Sequence, residues 1–196
     1  MNLVRDLLGP VGVMPRDQCN AYLSDELMMR IGIPHKGGQL AVHAEKQEYA
    51  AMVSASAFFD PKSGTFKVPQ FTPLQNIDWA LDSAGYVALS MWKQKGKQNG
   101  MAGIFPLTYA QYINFASEMR PSWWSQPDLC CEPEIINSPD ELEWRLRATA
   151  TLLFGTLMVV HEWQNQLAKD TPECVVRDLV RPCTPIIQGW SVSVYL

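Results

Sequence analysis

Apolar positions recur at helical spacing most clearly after Ser138, where Leu142, Leu146, Leu153, Leu157 and Val160 fall on one face. Ser138 supplies an N-cap hydroxyl, Pro139 the first helical position and Glu141 the acidic partner of a capping box. The spacing predicts a helix to about Lys169. No charge interrupts Ala148 to Val160, so this stretch is apolar on every side and reads as a central, buried helix.

Upstream the pattern is more broken. Pro15 and Gly32 bracket a helix, and "QLAVHAE" (39–45) alternates like a short strand. Residues 50–71 read as a β-hairpin turning at Asp60-Pro61-Lys62-Ser63-Gly64. Thr72 and Pro73 open a helix that carries Leu74, Ile77 and Leu81 and closes at Gly85. "YVALSMWKQ" and "GMAGIFPL" read as paired strands joined by the polar "KGKQNG", and Thr108 caps a further helix ended by Pro121. Residues 121–139 form a proline-punctuated connector, and Trp190, Val192, Val194 and Leu196 alternate as a terminal strand. The expected fold is α+β: a small, mainly antiparallel sheet from residues 39–105 plus the terminal strand, packed on the long helix and shorter ones. The 196 residues suit one domain, with subregions 1–120 and 121–196 sharing one core.

Charge narrows the function classes. Charged residues are 18% of the chain, below the usual fraction of about 25%, so there is ample apolar surface to bury. A net charge of −4 disfavours direct nucleic-acid binding, which needs a positive field. The apolar run 148–160 is shorter than the roughly 20 residues a membrane helix requires, and Arg5 and Asp6 interrupt any leader. An odd count of 5 cysteines fits reduced thiols in the cytoplasm.

Candidate chemistry is sparse. His161-Glu162-Trp163-Gln164-Asn165 begins like the zinc-hydrolase pattern H-E-x-x-H, but Asn165 stands where the second imidazole belongs and is a weak zinc ligand. Cys19, Cys130 and Cys131 offer thiols and His43 or His161 a base, without a local nucleophile motif. Lys93, Lys95 and Lys97 put three positive charges on one loop, a candidate polyanion contact. Adjacent Trp123 and Trp124 point to opposite sides of an extended segment, so one can cover the core while the other meets a partner.

These readings favour a non-catalytic protein-binding regulator or inhibitor that uses Trp123 and Trp124 and needs no cofactor or metal. A concrete version is a phage- or plasmid-type accessory protein that blocks a nucleic-acid-processing complex, in the manner of anti-CRISPR proteins. The rivals are a hydrolase assembled around a cysteine or His161 with Glu162, and nucleic-acid binding through Lys93–Lys97.

Overall fold

The structure, a computed structural model, describes residues 30–34, 39–132, 135–170 and 185–186. Its centre is a five-stranded sheet: β1 (Ile31–Gly32), β2 (Ala51–Ser54), β5 (Trp79–Asp82), β6 (Trp123–Ser125) and β7 (Pro185–Ile186). The strands lie side by side in chain order and every neighbouring pair is parallel. The expectation of a mainly antiparallel sheet is therefore overturned. Antiparallel pairing is confined to the two-residue ladder of β3 (Phe59–Asp60) with β4 (Thr65–Phe66), around the expected 60–64 turn. The missed distinction is that "AMVS" and "WALD" are short apolar runs buried within a sheet, linked by crossovers long enough for parallel pairing.

Several local readings change with it. "QLAVHAE" lies in helix α1 (Gln39–Gln47), which buries Ala41 and Ala44 one turn apart. The expected helix 72–85 divides into a one-turn 3-10 segment, Pro73–Asn76, and strand β5. "YVALSMWKQ" falls in helix α2 (Gly85–Lys95), where Gly85, Ala88 and Leu89 share the inward face, and Met101–Gly103 is a 3-10 turn. Helix α3 (Tyr109–Met119) has the full capping box of Thr108 and Gln111. The connector contains β6. The expected N-terminal helix and terminal strand lie outside the described residues.

Helix α4 (Pro139–Asp170) matches its expected span, but it is not a buried pillar. Among its described side chains only Arg145, Leu152 and Thr156 are fully buried, while Phe154 and Met158 are 44% and 55% exposed. Alanines and threonines dilute the apolar pattern, so one face suffices to dock it. No helix among the described residues is long and apolar enough to cross a membrane.

One sheet face, carrying Ala51, Val53, Trp79, Leu81 and Trp124, is fully buried. Tyr112 of α3 packs edge-on to Trp124 with ring centroids 5.6 Å apart, which places the helical layer on that face. Met52, Ser54, Asp82 and Trp123 occupy the other face and are half-buried, whereas Ala80, between Met52 and Trp123, is fully buried.

Candidate active site

Because all strands of the five-stranded sheet run the same way, their carboxyl ends gather on one rim. Ser54 closes β2 in register with Asp82 at the end of β5, and Ser125 closes β6 one step beyond the Leu81–Trp124 pair. The chain then turns sharply from β5 into α2. Asp82 Oδ2 accepts the Ala84 N–H at 2.9 Å, and Ala84 adopts a left-handed conformation, φ 67° and ψ 32°, unusual for a residue with a side chain. Such backbone strain is held by its surroundings and clusters at functional sites.

The next residue must be glycine. A Cβ on Gly85 would lie 2.0 Å from the Asp128 carbonyl oxygen, so α2 starts hard against the segment that follows β6. Ser83 ties the same two segments together. Its backbone N–H donates to Ser125 Oγ at 2.9 Å, and its hydroxyl donates to Asp128 Oδ1 at 3.1 Å. Asp82 and Asp128 thus flank one fully buried serine.

Both carboxyls are pushed toward their neutral forms. Burial raises Asp82, against the opposing pull of the Ala84 N–H and the Ser54 hydroxyl. Burial also lifts Asp128, to about 7; the Ser83 hydroxyl counters this, while the negative charges of Asp82 and Glu132 add to it. Tyr112 lies beneath, donating its hydroxyl to the Ser125 carbonyl at 2.8 Å. Burial, then the charge of Asp82, keeps that phenol protonated.

Helix α4 fixes the segment bearing Asp128. The Thr149 hydroxyl accepts the Leu129 N–H at 3.0 Å. Buried Arg145 donates to the carbonyls of Cys130 and Ile135, the latter at 2.7 Å, and to Glu141 Oε1 at 2.6 Å. Glu141 is itself held ionised, first by Arg145 and then by Lys93.

The residues singled out from sequence are distributed differently. Trp124 lies in the core at 1% exposure, and Trp123 is half-buried on the opposite face with the Arg30 guanidinium 5.3 Å above its ring. Lys93 and Lys95 occupy the last turn of α2, where their charge suits the helix dipole; Lys93 pairs with Glu141 at 2.9 Å, and Lys97 lies along Gly103. His161, Glu162 and Asn165 are exposed on α4, and His43 is exposed on α1. Burial, then Glu132 and Asp128, drives the Cys130 thiol up to about 11, so it is protonated at neutral pH and a poor nucleophile. Cys131 is buried; Cys19 lies outside the described residues. Among the described residues no three His, Cys, Asp or Glu converge as a metal-binding group.

The chain matches no family model, and no curated protein or solved structure resembles it significantly.

What the rim offers chemically is therefore read from its own groups. Two carboxyls held near one hydroxyl, one of them titrating near neutrality, can give up and take back a proton at a bound polar group. Sequence reasoning missed both. The available signal was "WALDSAGY", an apolar run ending in Asp-Ser and a glycine before a new apolar run, which is strand–turn–helix punctuation.

Proposed function

We propose that the rim formed by Ser54, Asp82, Ser83, Ser125 and Asp128 is an acid–base active site acting on a small polar substrate. Asp128 is the group that exchanges a proton, Asp82 is its companion carboxyl, and Ser83 is the positioning residue between them. One observation carries this reading: Ser83, next to Asp82 at the end of β5, donates its hydroxyl to Asp128 in the segment that follows the adjacent parallel strand β6. By fold-level analogy, parallel α/β proteins place their ligand sites at that end of the sheet. Placement in the cytoplasm fits the odd cysteine count.

A carboxyl-detected NMR titration tests the pair. Asp128 is expected to titrate at about 7, and Asp82→Asn should lower that midpoint by removing a nearby negative charge. A wild-type midpoint in the ordinary carboxylate range sinks the reading. The sign for stability follows. Folded Asp128 binds its proton more tightly than the unfolded chain, so its contribution is complete below about pH 4 and is lost as pH rises through about 7. Asp128→Asn should therefore be more stable than wild type above that pH.

A second reading, the protein-binding regulator or anti-CRISPR-like inhibitor, is favoured by a different observation. Phe71 is 90% exposed and nearby Val68 42%, an apolar tip of the kind that anchors contacts between proteins. Under this reading Phe71→Ser abolishes capture of a purified nucleic-acid-processing complex and leaves thermal unfolding unchanged; capture retained by the variant excludes this tip.

A further inference from the structure

An apolar pocket of about 90 Å³ is linked to the carboxyl rim through two of its lining residues. Phe59, Ala84, Ala88, Met91, Phe105 and Leu107 line it, and Ser56 is its polar edge. Ala84 and Ser56 are each hydrogen-bonded to a residue of the rim. The Ala84 N–H is held by the Asp82 carboxylate, and Ser56 Oγ lies 3.0 Å from Ser54 Oγ, the hydroxyl that also reaches Asp82. Val87, 40% exposed, marks the open side. A site with so few polar partners holds water poorly and gains by accepting an apolar group. An apolar cavity of about 150 Å³ takes benzene, so this smaller one suits a branched alkyl group on the order of four carbons.

We propose that this pocket is the specificity site of the same centre, and that it receives a small branched alkyl group of a substrate whose polar end reaches Asp82 and Asp128. The proposal rests on the acid–base reading for its polar half and on the cavity for its apolar half. The split explains why a polar rim adjoins an apolar depression: one end of the ligand is oriented by charge, the other selected by volume.

The test uses the intact chain, with methyl NMR as readout and three probes: xenon, methylamine and isopentylamine. Xenon is expected to shift the methyl signals of Met91, Val87 and Leu107. Isopentylamine should bind at least tenfold more tightly than methylamine, since its alkyl end leaves water. Ala88→Leu, which fills the pocket, should abolish the xenon shifts and erase the preference for isopentylamine. Asp82→Asn should weaken both amines and leave xenon unaffected. Absence of xenon shifts in the wild-type chain, or equal affinity for the two amines, overturns the pocket whatever the fate of the carboxyl pair. Failure of the carboxyl reading registers separately, as an ordinary Asp128 titration.

Discussion

Trp124→Ala is expected to destabilise the protein by about 3–5 kcal/mol, the range for removing a large buried aromatic. Trp124 is 1% exposed, sits between Leu81 and Pro185 in the sheet, and carries the edge-on contact with Tyr112. Removing it opens a void where sheet and α3 meet, directly beneath Ser125. Its indole Nε1 is buried without a hydrogen-bond partner among the described residues, so Trp124→Phe should cost much less than alanine. The neighbour provides the contrast. Trp123 is half-buried under Arg30, and losing that cation–π contact is worth about 0.5–1 kcal/mol. Urea unfolding of the three variants checks the assignment; equal losses for Trp123→Ala and Trp124→Ala would contradict the two-faced placement.

Arg145→Ala should cost roughly 2–6 kcal/mol, counting about 1–3 for each of the two carbonyls, Cys130 and Ile135, that lose a charged donor. Its guanidinium also neutralises Glu141, so Arg145→Ala leaves that carboxylate, among the described residues, with Lys93 and Asn137. The consequence reaches the rim, because Arg145 anchors the segment just after Asp128. Cys130 should be alkylated faster in the variant as its burial is relaxed, and the Asp128 midpoint should fall toward the usual carboxylate value. Urea unfolding measures the first effect, iodoacetamide kinetics and carboxyl NMR the others. Unchanged thiol reactivity in a destabilised variant would show that Arg145 supports the helix without shaping the site.

The parts of this fold legible in sequence are those fixed by local chemistry. Ser138 and Pro139 start α4 where capping requires, the Ser138 hydroxyl accepting the Glu141 N–H while the Glu141 carboxylate reaches Asn137 instead of closing the expected box, and Thr108 caps α3. The Asp60–Gly64 turn is likewise local. What escaped was decided by partners distant in the chain. "AMVS" becomes a parallel strand because "WALD" lies beside it, and neither run alternates in a way that shows which partner it takes. "YVALSMWKQ" contains residues that suit strands, but Gly85, Ala88 and Leu89 meet the protein at helical spacing. The active-site reading was hidden for the same reason. Asp82 and Asp128 are unremarkable acids until the sheet sets β5 beside β6 and Ser83 spans them.

Strand order that follows chain order also divides the labour of the sequence. On the proposed reading, the turns leaving the carboxyl rim, after Ser54, Asp82 and Ser125, set what is bound within the limits that buried Ser83 and close-packed Gly85 impose, while the apolar runs behind them do the holding. At the opposite rim Arg30 pairs with Asp78 at 2.8 Å, tying the start of β1 to the start of β5. Swapping a segment on the first rim should retune ligand choice, whereas the same swap on the second should change only how firmly the protein folds.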